Sequence, residues 1–336
     1  MLPKTICYNM FLHFSVAEDP SGMTKSCCIA VDIGGTNIRV SLVDSDYRIL
    51  LKLKEQAGTD PLSVLFRLID KLMSDLPDGS DIRVIGLAVA GAVDHANGVV
   101  LRAPNIPSFT GLNLYSEITR RYHIDAIIEN DANAAALGEK IAGAGRDFKN
   151  FVMLTLGTGI GGGIVVNDKL LNIAAEIGHI TINTAGPQCG CGNLGCLEAY
   201  ASATAIISNA VSAIEKGSSS ILKDTYNGNF YKISAADIYK AALEGDPLSR
   251  SVLREAGKAL GVGIASIVNT ISPDAVILTG GLLGAWNIYV EAAIAEASRR
   301  AFPVLFSKVK ILQSSLGDDA GIIGIAALAF QKGCAA

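Results

Sequence analysis

The pattern that decides the fold lies in residues 27–43, CCIAVDIGGTNIRVSLV. Its apolar run Cys27–Val31 predicts a short buried strand, and the segment Asp32–Arg39 follows as a glycine-containing turn. Val40–Val43 predicts the returning strand, and a polar turn leads to a third strand near Arg48–Leu53. The segment therefore predicts a three-stranded meander with a glycine turn at its first bend.

The same order of elements recurs in the second half of the chain. Phe151–Leu154 predicts a strand, the turn LGTGIGGG follows at Leu156–Gly163, and further strands are predicted at Ile164–Val166 and Lys169–Asn172. A dinucleotide-binding glycine turn would open a helix, whereas a strand follows here, so we reject that interpretation. Two copies of one pattern indicate a duplicated domain.

Helical and strand patterns alternate along the rest of the chain. Val84–Val89 and Ile124–Ile128 read as buried strands, and the alanine-rich run Ala132–Ala142 predicts a helix that Asn130 or Asp131 can cap. Further helices are predicted at 61–76, 114–122, 199–216, 235–243, 247–269, 287–301 and 320–331, and further strands at 275–278 and 309–313. This alternation predicts the α/β class.

Composition restricts the possible functions. The chain has 336 residues, of which 50% are hydrophobic and 18% charged, which is typical of a compact protein with two domains. The formal net charge is −4 and no run of Lys and Arg occurs, so we expect no nucleic-acid partner. Seven cysteines favour a reducing compartment, and no apolar run reaches membrane-spanning length. We therefore expect a cytoplasmic protein with no membrane partner.

A potential metal site lies within residues 176–198, EIGHITINTAGPQCGCGNLGCLE. Thiolate and imidazole are ligands that Zn²⁺ prefers, and three Cys with one His form a closed structural set. The predicted ligands are His179, Cys189, Cys191 and Cys196. The alternatives are cysteines without a special role or part of a disulfide framework, which an even count in a short secreted chain would favour.

Two acids flank these ligands, Glu176 and Glu198. A loop clamped by zinc can hold them rigidly toward a polar ligand, or they can be solvated surface acids. The two glycine turns allow a similar choice. Each alone is an ordinary hairpin turn, but two equivalent turns can cradle a polyphosphate with their backbone N–H groups. In the first turn, Asp32 can hold Mg²⁺ directly or through water.

Taken together, these motifs resemble the ROK family of bacterial and archaeal sugar kinases and sugar-responsive repressors. The resemblance rests on DIGGT at residue 32, ENDANAAA at 129, LGTGIGGG at 156, EIGH at 176, the CxCGxxGCxE run, and LGDDAG near 321. It implies an actin-like ATPase fold, in which two ribonuclease-H-like domains surround a cleft. It also implies transfer of the γ-phosphoryl group of ATP to a hexose, with Mg²⁺ as cofactor and a structural Zn²⁺.

The resemblance assigns roles to individual residues. Asp131 falls on the catalytic base. Asp32 falls on the residue associated with Mg²⁺. The first phosphate turn is matched by Gly34, Gly35, Thr36 and Asn37, the second by Thr158 and Gly159, and the adenosine-side turn by Gly280 and Gly281. The sugar contacts are matched by Gly91, Asn105, Asn130, Glu176, His179 and Glu198. His179 would then serve both zinc and sugar.

Departures from the family pattern concern the sugar. Ala90 and Ala92 stand where glucokinase-like members often have prolines, which leaves the shape of one pocket wall open. N-acetylmannosamine kinases tend to carry Arg at the position of Ala92, and its absence, with Asn105 in an Ala-Pro-Asn-Ile setting, favours glucose. N-acetylmannosamine, N-acetylglucosamine, fructose and allose remain alternatives. A sugar sensor without catalysis and another actin-like ATPase, such as a chaperone, are the rival classes.

The expected domain organisation follows from these assignments. Residues 1–25 are predicted to be an extension, with Met23 as an alternative start. The extension has no paired amphipathic helices of the kind that a DNA-binding repressor carries. Residues 26–125 are expected to form a small domain joined by the C-terminal helix 320–334, and residues 126–319 a large domain with the zinc loop 179–196. The family resemblance also implies a homodimer or homotetramer.

Overall fold

The computed structural model describes residues 25–333, so residues 1–24 of the predicted extension, with Met23, lie outside the described residues, whereas Lys25 begins the first strand. Twelve strands occur in this part of the chain. In chain order they are β1 (Lys25–Ile33), β2 (Asn37–Asp44), β3 (Ile49–Gln56), β4 (Ser80–Val89), β5 (Ala92–Asp94), β6 (Val99–Arg102), β7 (Asp125–Asn130), β8 (Phe151–Leu156), β9 (Ile160–Val166), β10 (Lys169–Leu170), β11 (Ala275–Thr279) and β12 (Lys310–Gln313).

Eleven α-helices accompany these strands between residues 25 and 333. They are α1 (Pro61–Ser74), α2 (Leu114–Tyr122), α3 (Asp131–Ala142), α4 (Glu198–Ala201), α5 (Ala203–Glu215), α6 (Ile221–Tyr226), α7 (Ala235–Leu243), α8 (Pro247–Ile271), α9 (Glu291–Arg300), α10 (Pro303–Phe306) and α11 (Ala320–Gly333). Single helical turns also occur at Pro107–Phe109, Ile177–His179, Phe230–Lys232, Gly281–Ala285, Trp286–Val290 and Gly317–Asp319.

The strands confirm the duplicated α/β architecture. The first sheet has the order β3-β2-β1-β4-β7 and the second has the order β10-β9-β8-β11-β12. In both sheets the first three strands pair antiparallel as a meander, and the last two add in parallel. Each half thus repeats one topology, as the two glycine-turn patterns predict. The actin-like ATPase fold, with two such halves, accounts for this arrangement.

The last helix of each half also packs against the sheet of the other half. Helix α3 follows β7 of the first sheet, yet Ala135 and Ala136 pack with Phe151 and Met153 of the second sheet. Helix α11 follows β12 of the second sheet and packs against β1 and β4 of the first. The two helices therefore lie between the sheets and connect them.

The crossing of α3 and α11 is made by glycines. A Cβ atom on Gly324 would lie 1.7 Å from the Ala134 carbonyl oxygen, and one on Gly138 would lie 2.0 Å from the Ala320 carbonyl oxygen. Since atoms cannot approach so closely, only glycine allows the two backbones to come into contact here. The contact fixes how the two halves meet.

Several local predictions need correction. The helix predicted over 199–216 is wrong as one element, because Ser202 adopts an extended conformation (φ −74°, ψ 163°) and separates α4 from α5. The helix predicted over 287–301 begins with a π-helical turn, Trp286–Val290. Elements β5, β6, α6 and α10 were not predicted, since they are short and carry little periodicity. The division of the chain after residue 125 stays a prediction; β7, Asp125–Asn130, pairs with β4 of the first sheet.

Candidate active site and metal centre

Asp131 lies at the edge of the first sheet where its parallel strands end. It is the first residue of α3 and follows β7 directly. In the register of the sheet, the last residue of β7, Asn130, pairs with Val89, and Val89 in turn pairs with Ile33. The chain segments after these residues are Asp131, the Gly91 turn and the first glycine turn. Carboxyl ends of parallel strands are the usual place for ligand sites in α/β proteins.

The electrostatic environment of Asp131 suits a base. Burial and, next, the Asp32 carboxylate raise the pKa of Asp131 to about 7, and the Glu176 carboxylate acts in the same direction. The backbone N–H of Ala132 donates to Asp131 Oδ1 over 2.9 Å and opposes the increase. A base with a pKa near neutrality is partly ionised at neutral pH and still accepts a proton readily.

Asp32 is held by an ion pair that the motif analysis missed. Arg39 Nη1 lies 2.6 Å from Asp32 Oδ2, and Arg39 Nη2 lies 2.9 Å from Asp318 Oδ2. Burial raises the pKa of Asp32, and the Arg39 guanidinium opposes this increase. Asp32 and Arg39 are also directly opposite each other in the β1–β2 hairpin. Their equal spacing from the glycine turn was therefore the sequence feature that could have predicted the ion pair.

Asn130 uses most of its amide within the protein. Its Oδ1 accepts from the N–H groups of Ala132 and Asn133, and its Nδ2 donates to the Gly91 carbonyl oxygen over 2.9 Å. Asn130 therefore caps α3, as predicted, and ties the Gly91 turn to the site. One amide hydrogen remains for a ligand.

Each predicted phosphate turn contacts a predicted sugar residue. A Cβ atom on Gly35 would lie 2.7 Å from Asn105 Cβ, and one on Gly159 would lie 2.4 Å from Glu198 Oε2. The N–H of Ile160 also donates to Glu198 Oε2 over 2.7 Å. The absence of side chains on Gly35 and Gly159 therefore brings the two sets of predicted ligands together.

The remaining predicted nucleotide residues belong to the same turns. The N–H of Gly34 donates to the Asn37 carbonyl oxygen over 3.0 Å, and the Thr36 carbonyl oxygen accepts from Ala57. A Cβ atom on Gly280 would lie 2.3 Å from the Leu156 carbonyl oxygen, so that turn abuts the second phosphate turn. Gly281 begins a helical turn, and among the described residues nothing lies within 4 Å of a Cβ built on it. Its predicted role rests on the motif alone.

The three cysteines and His179 converge as the zinc prediction requires. Their ligand atoms all lie within 4.8 Å of one another. The Sγ atoms of Cys191 and Cys196 are 3.7 Å apart, and Cys189 Sγ lies 3.6 Å from His179 Nδ1. A tetrahedron with Zn–S of about 2.3 Å and Zn–N of about 2.0–2.1 Å has S–S edges of about 3.8 Å and S–N edges of about 3.6 Å. A disulfide would need about 2.05 Å, so the geometry fits zinc.

The other nitrogen of the His179 ring faces the candidate site. His179 Nε2 lies 3.9 Å from Glu176 Oε2. Glu176 also lines a small cavity of about 30 Å³ together with Gly91 and Asn130. A metal on Nδ1 would fix the tautomer and leave Nε2 as a donor toward the site.

A buried polar group lies beside the strand end that carries Asp131, and sequence analysis did not find it. Asn133 is buried, and its Nδ2 donates to Glu129 Oε1 and to the Ile173 carbonyl oxygen, each over 3.0 Å. His95 Nδ1 lies 3.4 Å from Glu129 Oε2. The repeated Asn in the sequence Asn-Asp-Ala-Asn, with i and i+3 on one helical face, was the available signal.

A model of the ROK family matches residues 28–332. The chain belongs to the ROK family. Among ROK relatives, the glucokinase of Thermotoga maritima is 35% identical and covers 92% of this chain and 99% of its own length. The xylose repressor of Caldicellulosiruptor bescii is 31% identical over 89% of this chain and 77% of its own length.

Solved ROK structures show the same architecture. The ROK glucokinase from Streptomyces griseus, in complex with glucose and AMPPNP, superposes with a TM-score of 0.78 at 33% identity, covering 91% of this chain and 99% of the other. Between residues 25 and 333 no helix combines the length and apolar character needed to cross a bilayer. The ROK relatives of this chain thus include both kinases and repressors.

Proposed function

We propose that the protein transfers the γ-phosphoryl group of ATP to a hydroxyl group of a hexose, with glucose as the favoured substrate. The observation that carries this proposal is the position of Asp131. It combines a pKa of about 7, raised by burial and by the Asp32 carboxylate, with a place at the strand ends beside the first glycine turn. The resemblance to proteins named glucokinases supports the sugar and the donor.

In this proposal Asp131 removes the proton from the attacking sugar hydroxyl. A sugar hydroxyl is a weak nucleophile at neutral pH, and a positioned base typically contributes about 10²–10⁴ in rate. One oxygen of Asp131 accepts from Ala132, which fixes the carboxylate and leaves the other oxygen for the hydroxyl. The N-terminus of α3 stabilises the ionised form that is needed before the proton moves.

The sugar is held by a mixed set of donors and acceptors. Asn105, Glu176 and Glu198 offer an amide and two carboxylates, and His179 Nε2 donates when Nδ1 is on zinc. Such a set suits a ring of hydroxyl groups, and a site built for hydroxyl groups rejects analogues that lack them. Ala92 leaves the wall beside Gly91 without a long side chain, which agrees with the preference for glucose over N-acetylmannosamine.

The phosphates are assigned to the two glycine turns. Backbone N–H groups of the segments 35–37 and 158–159 would bind the phosphate oxygens, because the N–H groups of Gly34 and Gly157 donate within their own turns. The Asp32 carboxylate suits Mg²⁺, which prefers oxygen ligands, and Arg39 keeps that carboxylate in one orientation. Mg²⁺ bound with ATP would neutralise charge on the phosphoryl group being transferred.

A second candidate is a sugar-responsive regulator without catalysis, which the similarity to the xylose repressor favours. One experiment tests both candidates. ADP release is measured with a panel of hexoses and N-acetylhexosamines, with Asp131→Asn as the control. Turnover with one sugar that the variant loses would support the kinase. Sugar binding without turnover for any sugar would support the regulator. Light scattering tests the predicted homodimer or homotetramer.

A further inference from the structure

The second glycine turn is hydrogen-bonded to a short segment that includes two residues outside every motif, Ala203 and Thr204. The Thr204 hydroxyl donates to the Thr158 carbonyl oxygen over 2.7 Å, and the N–H of Ala203 donates to the Gly157 carbonyl oxygen over 2.8 Å. The Glu198 carboxylate accepts from Ile160 at the other side of the turn. Gly157, Thr158 and Ile160 are thus each hydrogen-bonded to one short segment, residues 198–204.

The break between α4 and α5 makes these contacts possible. In a continuous helix the N–H of Ala203 would donate four residues back, to Ala199. Because Ser202 is extended, α5 starts anew at Ala203, and its first N–H is free to reach the turn. The Ser202 hydroxyl caps the new helix by accepting from Ala205 over 3.2 Å.

These contacts orient the turn for a ligand. The carbonyl oxygens of Gly157 and Thr158 point toward the segment 198–204, where N–H and O–H donors bind them. In a trans peptide unit the N–H points opposite to the carbonyl. Because the carbonyls of Gly157 and Thr158 point toward the segment 198–204, the N–H groups of Thr158 and Gly159 point away from it. N–H groups directed in this way are what a phosphate requires.

The same segment also begins two residues after a zinc ligand. Cys196 is the last of the four zinc ligands, and Glu198 contacts Gly159 and Ile160 directly. Glu198 therefore links the zinc loop to the glycine turn through two steps along the chain and the hydrogen bond from the Ile160 N–H.

We propose that Thr204 is a positioning residue of the nucleotide site. Its hydroxyl, together with the Ala203 N–H, fixes the glycine turn 157–160 for the phosphates of ATP. This inference rests on the proposed function, since it takes the ligand of the turn to be a nucleoside triphosphate.

The test compares Thr204→Val, which keeps the shape and removes the hydroxyl, with Thr204→Ser, which keeps the hydroxyl. Thr270→Val is the matched control, because the exposed Thr270 donates to the Ser266 carbonyl oxygen over the same 2.7 Å within α8. The readouts are binding of a non-hydrolysable ATP analogue, KM for ATP and for sugar, zinc content, and hydrogen exchange of a peptide covering 157–160.

A hydrogen bond of ordinary strength corresponds to about a 2- to 12-fold change in binding. We expect Thr204→Val to weaken the ATP analogue and raise KM for ATP by about 3- to 10-fold, with faster exchange in the turn. Sugar KM and zinc content should not change, Thr204→Ser should restore nucleotide binding, and Thr270→Val should behave as the original protein.

Four results would overturn the inference. They are unchanged nucleotide binding in Thr204→Val, failure of Thr204→Ser to restore it, an equal loss in Thr270→Val, and no binding of the ATP analogue by the original protein. If the original protein binds the analogue but phosphorylates no sugar, the proposed function fails. The analogue then still decides the role of Thr204.

Discussion

Replacing Asp131 by Asn should abolish turnover and make the folded protein more stable at alkaline pH. The two effects have one cause. Asp131 is ionised at neutral pH only at a cost, because burial and the Asp32 carboxylate oppose its charge. Asn keeps nearly the same shape and carries no charge, so the variant loses the base and the cost together.

The sign and size of the effect of Asp131 on the free energy of unfolding follow from its pKa. Folding raises the pKa of Asp131 from 3.8 to about 7, so stability is fully present below the unfolded value and is lost as pH rises through about 7. One pKa unit corresponds to about 1.4 kcal/mol, which gives a loss of about 4 kcal/mol at pH 8 and about 2 kcal/mol at pH 5. Asp131 keeps some contact with solvent, so we expect the loss of stability to be about half of these values, about 2 kcal/mol at pH 8 and about 1 kcal/mol at pH 5.

The variant should therefore gain about 1 kcal/mol more stability at pH 8 than at pH 5, or about 1–2 °C in melting temperature for a chain of this length. Calorimetry of both proteins at the two pH values, with zinc present, measures this difference. Asp46→Asn, an exposed change in the turn between β2 and β3, is the control. Sugar binding by titration calorimetry should be retained, while ADP release should fall by at least about 10²-fold.

Three outcomes would refute the reasoning. They are a stability gain that is the same at both pH values, a loss of stability at pH 8, and turnover that persists in the variant. A related check is the pH dependence of kcat/KM for the original protein. It should fall tenfold per pH unit below about 7, because only ionised Asp131 accepts the proton.

Three other changes test the site and the fold. Metal analysis should find one zinc per chain. Removing it with a chelator should weaken sugar binding and lower the melting temperature, since metal binding is coupled to folding. A protein without zinc that still binds sugar tightly would contradict the proposed role of the metal. Gly159→Ala should weaken sugar binding by tenfold or more, because its Cβ would lie 2.4 Å from Glu198 Oε2. Gly157→Ala is the control and should leave sugar binding unchanged, because a Cβ on Gly157 meets nothing within 4 Å. Equal sugar affinities of the two variants in titration calorimetry would refute the contact. Gly324→Ala should lower the free energy of unfolding by about 1–3 kcal/mol, because its Cβ would overpack against the Ala134 carbonyl oxygen. Chemical denaturation measures this loss. An unchanged denaturation midpoint would show that α3 and α11 can separate.

Most of the fold could be predicted from sequence because its signals are local. The glycine turns at 32–39 and 156–163 and the polar turns after them define two meanders, and both appear with the same strand order. Apolar periodicity places α2 and α7 at the predicted residues. The zinc ligands could be predicted because the chemistry of Cys and His restricts the alternatives.

The parts that could not be predicted depend on contacts between distant segments. Helical propensity continues through Ser202, and the break there brings Ala203 and Thr204 onto the glycine turn, which is distant in sequence. The ion pair from Arg39 to Asp318 joins residues 279 positions apart. No window of the sequence contains both partners, so periodicity and propensity carry no information about either contact.

The exchange of helices between the halves links the base to the fold as a whole. Helix α3 carries Asp131 at its start and the Gly138 contact with α11 two turns later. Helix α11 is preceded by Asp318 and Asp319, which pair with Arg39 and Lys52 of the first sheet. Because Arg39 also pairs with Asp32, we expect a movement of α11 relative to α3 to change the distance between the Asp32 and Asp131 carboxylates. If Asp131 is the base, its pKa then depends on how the two halves meet.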